Sequence, residues 1–557
     1  FQWGLDCQIH GATSMSGGQV TLVDSAFTRA WRKRGGKDLT EAAPTVDLRG
    51  RDFAFDPRTL ELRAETGGGQ HGMSLDDTGR KFVCSNSDHL QLVAFDEVAA
   101  PVNRFHDLPT SRRSIAADGS AAEVFRRSPD EPWRVVRTRW RVSGVVPGMV
   151  EGGGRASGYF TGATGVTIYR GDDYGRDFSG DAFIADCGSN LIHRKKLHPA
   201  VDGVLLVGER AADEQRSEFV ASSDNWFRPV QFYNAPDGCL WAIDMYREVI
   251  EHPWSLPAPI KAELDLDSGR ERGRLWRLKP LESSVPRTRT HLTDLSVTNL
   301  VATLAHANGW HRDTAARLLY QRGDAETQAA LRAKAAHWSK MFPLGPTAAT
   351  GRIQLLELLS NLGALEENVL LSAGRDESSS VRRYAYRLLA RRTFRSAAGE
   401  NLLLARAREE TDALAGMELA FALASAPTAA KVEALGTLLR SESPWVRSAA
   451  VQAAGGLAPV LWTGLIPSPG VSSSAGQGAV LVELASTLGR TGDPEVLEKA
   501  LAESCRLNPP SLAFRVTDAL REGVRRRGGS LKVYDGTGAL KVLLEEVAAQ
   551  VSSGYLA

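Results

Sequence analysis

A chain of 557 residues exceeds what one hydrophobic core fills, so roughly two to four domains are expected. Its 67 Lys and Arg are balanced by 66 Asp and Glu, which excludes a dominant basic surface, and no nucleic-acid partner is expected. Hydrophobic residues at 43% and charged residues at 24% are ordinary for a globular protein, and no run of about 18 apolar residues offers a transmembrane segment.

In chain order, the first predicted elements are hairpins. A compressed strand–turn–strand pattern runs from Trp3 to Ala12 (WGLDCQIHGA), and a fuller copy from His71 to Asn86 (HGMSLDDTGRKFVCSN). A degenerate copy spans Thr164 to Asp186, and another clear one spans Arg228 to Asp244 (RPVQFYNAPDGCLWAID). Each places two hydrophobic stretches about an Asp-Gly-type turn, the pattern of an antiparallel hairpin with one buried face. Repeated hairpins of this kind predict a propeller. Between them, Arg137, Arg139 and Arg141 alternate along an expected strand (RTRWR), and His193 and His198 fall in an expected loop (HRKKLH) whose spacing is poor for a metal. Gly273 to Leu278 (GRLWRL) is the last strand-like element.

After Pro280 the composition turns to Ala, Leu, Glu and Arg with helical spacing. Helix starts at Trp310, Ser380 and Pro444 carry Arg312, Arg382 and Arg447 at equivalent positions, with further helices at Arg352 and Gly416 between them. The repeat is a helix pair of HEAT type, in which the arginine caps or bridges neighbouring repeats. Pro467 to Gly478 is an expected loop within this array. The reading is therefore a multidomain chain: an all-β propeller over 1–280, a linker over 281–291, and an all-α HEAT-like solenoid over 292–557. Because the chain opens at Phe1 inside a repeat, the propeller is expected to be incomplete, with its early blades missing.

The strand nearest a propeller's axis follows the turn residue, so residues just before it line one mouth of the channel. That places Trp3, Gln70, His71, Thr164, Asn225, Trp226 and Arg228 as candidates. A neutral imidazole at His71 accepts a hydroxyl proton and the Arg228 guanidinium steadies developing negative charge, which makes these two the candidate catalytic pair. Tyr246 and Arg247 form a second-rank binding cluster. Asp186 and Asp244 close their hairpins, where a carboxylate ties the next loop or binds calcium. Cys7, Cys84, Cys187, Cys239 and Cys505 lie far apart, and no CxxCH is present for covalent haem. HExxH, GxSxG and P-loop motifs are also absent, and the glycine runs at 67–69 and 152–154 do not open helices as a dinucleotide site requires.

Several of these segments, HGAT at 10–13, DFAFDP at 52–57, GQHGM at 69–73, SSDNWFRPV at 222–230, DMYREVIEH at 244–252 and GRLWRL at 273–278, resemble a bacterial family of membrane-bound dehydrogenase proteins. Its members join a propeller to HEAT repeats and a cytochrome c domain, and the propeller is similar to soluble quinoprotein glucose dehydrogenase. The resemblance implies a periplasmic or otherwise extracytoplasmic redox protein that oxidises a sugar or alcohol, uses pyrroloquinoline quinone (PQQ) and calcium, and passes electrons to haem c. It also implies a protein partner on the HEAT array. The competing expectation is a non-catalytic carbohydrate- or protein-binding propeller on a HEAT docking scaffold. In that reading Trp3, Trp226 and Arg228 recognise the ligand.

Overall fold

The computed structural model describes residues 1–23, 45–282, 291–342, 345, 347–391, 396–467 and 475–552. Most of the expected linker and the core of the expected 467–478 loop lie outside the described residues. The first half consists of antiparallel sheets, none closed on itself, and the second half is a series of helices. No described helix is long and apolar enough to cross a membrane.

The four repeated segments each fold as a hairpin. They are β1 (Gln2–Trp3) with β2 (Ile9–Gly11), β7 (Met73–Leu75) with β8 (Lys81–Ser85), β11 (Ala163–Ile168) with β12 (Ala182–Asp186), and β16 (Pro229–Asn234) with β17 (Leu240–Asp244). Each hairpin continues outward in sequence order. The first adds β5 (Arg51–Phe55) and β6 (Leu62–Thr66), while β3 (Gln19–Val20) and β4 (Val46–Asp47) pair by themselves. The second adds β9 (Asp88–Val93) and β10 (Arg112–Ser114). The third adds β13 (Leu191–Pro199), with β14 (Leu206–Arg210) and β15 (Val220–Ala221) both pairing to it. The fourth ends on β18 (Arg274–Leu278).

The leading strands of three sheets adjoin one another. The Gly165 amide donates to the His71 carbonyl at 2.8 Å, and the Thr164 hydroxyl lies within hydrogen-bond reach of the carbonyls of His71 (2.9 Å) and Val230 (3.1 Å). Gly165 is required here. Its φ is +64°, and a Cβ would sit 2.7 Å from the Val230 carbonyl oxygen. The sheets also share cores. Phe82, Leu90 and Leu92 pack with Ile168, Ile184 and Leu191, and Tyr169, Phe183 and Ile192 pack with Phe232 and Leu240. Each fully buried side chain of this size contributes on the order of 1.5–3 kcal/mol.

Two expectations for this region are corrected. Residues 137–141 are helical, within Pro132–Val142, rather than strand. Pro132 sits in the first turn, where its missing N–H costs nothing, and Arg134, Arg137 and Arg141 then fall on one face. Arg134 meets Glu131, Arg137 donates to Glu251 at 2.5 Å, and Arg141 donates to the Ser255 carbonyl at 3.0 Å. His193 and His198 lie in strand β13, not in a loop, with His193 buried against Glu218 at 2.6 Å.

By contacts the chain divides into two compact units. One comprises Phe1–Val98, Ser111–Ala200 and Leu205–Val369, and the other Ala99–Thr110, Val201–Val204 and Leu370–Ala557. The first unit therefore takes in helices beyond residue 292. Helix Gly309–Arg322 lies across the turn ends of the hairpins. Arg170 is buried between Asp77 and Asp313, Arg312 pairs with Asp77, the Tyr320 hydroxyl donates to Asp56 at 2.7 Å, and His311 Nε2 donates to the Pro236 carbonyl at 2.9 Å.

The three aligned arginines share one geometry. Nη1 of Arg312 donates to the carbonyls of 306 and 307, that of Arg382 to 376 and 377, and that of Arg447 to 441 and 442. Each thus satisfies the loop carbonyls that precede its own helix. Each guanidinium also meets an acid: Asp77 for Arg312, Glu410 for Arg382 and Glu483 for Arg447. The second unit is further knit by His106 bonding Ser448 and by Trp445 donating to Asp202.

Candidate functional site

The expected site residues sit at the entry ends of the leading strands, but their side chains divide into two kinds. One kind is fully committed to holding the loops. Arg228 has no solvent exposure. Its Nε donates to the Arg247 carbonyl at 2.9 Å, Nη1 to Cys187 O at 2.9 Å, and Nη2 to Glu131 Oε1 at 3.1 Å and Glu248 O at 2.5 Å. The expected role of Arg228 at substrate is not what this geometry serves, because the guanidinium is fully buried and all three of its nitrogens donate within the protein. Glu131, absent from the sequence reading, is its buried counter-ion. Burial opposes ionisation there, yet Arg134, Arg228 and Arg126 hold the carboxyl below its usual range.

Asp186 and Asp244 are of the same kind. Asp186 accepts from the amides of Thr161, Gly188 and Ser189 and from the Ser189 hydroxyl. Asp244 accepts from the amides of Arg228 (2.8 Å) and Tyr246 (3.0 Å), from Arg274 Nε (2.6 Å) and from Trp276 Nε1 (2.9 Å). Both carboxylates have each oxygen engaged by N–H or O–H donors, so the expected calcium ligands do not fit that ion and serve as loop ties. Arg247 likewise caps main chain. Its Nη1 donates to Met245 O and Tyr246 O at 3.1 Å each and to Gly269 O, and its Nη2 donates to Arg270 O at 3.2 Å.

The second kind remains presented. Trp226 and Tyr246 are half-buried, with ring centroids 5.0 Å apart at 38°. The Arg274 guanidinium lies over Tyr246 at 4.5 Å and over Trp276 at 5.3 Å, and Arg272 approaches Tyr246 at 5.8 Å. Tyr246 is held at φ +54°, a conformation costly for a non-glycine residue. Asp224 supports the cluster by accepting from the Trp226 amide (2.9 Å) and from Arg274 (3.1 Å). The Asn225 Oδ1 is buried without a hydrogen-bond partner among the described residues. His71 is exposed, and residual desolvation holds its imidazole below the usual value.

The other candidates are placed differently. Thr164 is used between main chains, and Gln70 accepts from the Asn86 amide at 3.1 Å. Trp3 packs with its ring centroid 6.2 Å from that of Tyr320. Arg274 and Trp276 were legible only as part of the GRLWRL strand, since nothing local marks them as partners of Asp244.

A further cluster lies in the first sheet, where Asp6, His10 and Glu65 present ligand atoms within 4.8 Å of one another. The imidazole bonds Glu65 through Nδ1 at 2.8 Å and Asp6 through Nε2 at 2.9 Å. Burial opposes its charge, but the two carboxylates raise its pKa to about 9. In its protonated form the imidazole donates from both nitrogens, one to each carboxylate. Arg63 and Lys81 also neutralise the acids, at 2.7 Å and 3.2 Å from Glu65. The group is a buried ion-pair node.

A run of antiparallel sheets followed by a series of helices is the architecture of this protein. Residues 1–282 match the family described as domain of unknown function DUF7133, and the chain belongs to that family. No curated protein matches it. Among solved structures it is similar to an engineered protein at 19% identity, covering 42% of this chain and 98% of that one with a TM-score of 0.21, a likeness that carries no argument about fold or function.

Proposed function

We propose that this is a ligand-binding protein, a propeller-type sheet unit on a HEAT-like docking scaffold, that takes carbohydrate at the Trp226–Tyr246 mouth. The observation that carries the reading is the tilted Trp226–Tyr246 pair with Tyr246 kept in a left-handed conformation beneath Arg274. Such strain persists where the surroundings over-determine it, typically at ligand clamps. A sugar's C–H face packs on an aromatic ring while its hydroxyls meet charged neighbours such as Arg274 and Asp224, and a few polar groups amid aromatic surface suit small-molecule recognition. Consecutive meanders with adjoining leading strands support the propeller part, and the repeated arginine caps support the helix-pair part, whose role is to dock a protein partner. An extracytoplasmic location accompanies this reading.

Calorimetric titration of the full chain with neutral and acidic oligosaccharides tests it. Binding weakened about tenfold or more by Trp226→Ala is expected. Absence of binding to every oligosaccharide overturns it.

One observation favours a second reading, quinone-dependent oxidation of a sugar or alcohol. His71 is an exposed imidazole at the same strand ends, its pKa lowered by partial desolvation, and in its neutral form it can accept a proton. Arg228, Asp186 and Asp244 do not fit as seats for the quinone or its calcium, so no step is derived through either. Dye-linked oxidation after addition of PQQ and calcium, abolished in His71→Ala, would establish this second reading. Oligosaccharide binding with no turnover leaves the first.

A further inference from the structure

A groove of about 410 Å³ opens in the second unit between helix Pro510–Arg526, the turn Leu531–Tyr534 and helix Ala539–Ser552. Its walls are apolar, with Leu531 and Leu543 buried and Phe514 and Leu544 left 40% and 46% exposed. Its rim is basic. Arg521, Arg525 and Lys532 line it against a single acid, Asp518. Asp518 pairs with Arg521 at 2.7 Å, and Arg525 pairs with Glu522 outside the lining. Such exposed pairs are weak and leave the cations available to a competing anion. Among the described residues the Lys532 ammonium has no acidic partner.

We propose that this groove binds a free medium-chain fatty acid, with the acyl chain along Phe514, Leu543 and Leu544 and the carboxylate between Arg521 and Lys532. Two features select this occupant. The volume lies within the roughly 300–1,000 Å³ of single small-molecule sites. A protein partner would need on the order of 1,200 Å² of buried surface, more than so small a groove supplies. The net positive rim then selects an anionic head over a neutral one.

The test is calorimetric titration of the full chain with monomeric dodecanoate, with dodecanol as the uncharged counterpart. Dodecanoate is expected to bind about tenfold or more tightly than dodecanol. Lys532→Glu combined with Arg521→Glu is expected to remove that preference, and Leu544→Arg to abolish binding of both. Leu544 and Lys532 are exposed, so unchanged circular dichroism and thermal midpoint will verify folding of these variants. Equal binding of dodecanoate and dodecanol overturns the proposal, as does retention of dodecanoate affinity in Leu544→Arg. Binding confined to anionic lipid vesicles, with none to monomeric dodecanoate, also overturns it.

Discussion

Removing the Arg228 guanidinium would take the nearest cation from buried Glu131, leaving Arg126 and Arg134 at 3.5 Å, and would take a donor from three loop carbonyls. Breaking a buried pair from one side costs about 3–5 kcal/mol, so Arg228→Met should lower the unfolding free energy from urea titration by up to that amount, with the midpoint falling accordingly. Adding Glu131→Gln should recover part of the loss, because the buried charge that Arg228 helped to balance is then gone. A catalytic role predicts a different result, lost turnover at unchanged stability. His10 gives a second prediction at this scale. Its pKa is raised from 6.5 to about 9 in the folded chain, so its contribution is complete below pH 6.5 and is lost as pH rises through 9. Glu65 is lowered from 4.5 to about 2, mainly through its hydrogen bond to His10 against the opposing effect of burial. Its contribution is present above pH 4.5 and lost as pH falls through 2. Thermal midpoints measured across pH 6 to 10 should decline for the native chain, and that decline should shrink in His10→Gln.

Among the elements, the adjoining leading strands tolerate little added bulk. Gly165→Ala places a methyl 2.7 Å from the Val230 carbonyl oxygen at a φ of +64°, and both the clash and the backbone strain destabilise. A loss of roughly 1–3 kcal/mol is expected from chemical denaturation. Phe82 is fully buried where the second and third sheets share a core, and its truncation to Ala should cost about 3–5 kcal/mol. The arginine caps act at the same scale. Hydrogen exchange in Arg382→Ala should quicken across Ser379–Arg391, since carbonyls 376 and 377 lose this donor and Glu410 loses its two-pronged guanidinium partner.

For the whole molecule, the division by contact falls within the helical series, after Val369, although the composition changes near Pro280. Helix Gly309–Arg322 is bound to the hairpin turns through Arg170, Asp77 and Asp56. Native-state hydrogen exchange should therefore show this helix opening together with strands β7 and β8. Independent opening of Gly309–Arg322 with the helices beyond residue 370 would contradict that coupling.

Local sequence patterns were enough to specify the four hairpins, the closing strand near Trp276, the helix starts and the equivalence of Arg312, Arg382 and Arg447. Strand alternation, turn chemistry and helical period are local, and each is written within a few adjacent residues. The arginine series 137–141 misled because alternation and a helical face overlap over so short a stretch, and the carboxylates that settle it, Glu131 and Glu251, lie outside it. Positions such as His71 and Trp226 were legible as strand entries. Whether a side chain there faces a mouth or a loop was decided only in tertiary structure. Arg228 turns inward because Glu131, the residue just before helix Pro132–Val142 and 97 positions earlier, supplies the charge that burial demands. The His10 node and the groove beside Leu543 arise in the same way, from residues that only packing brings together.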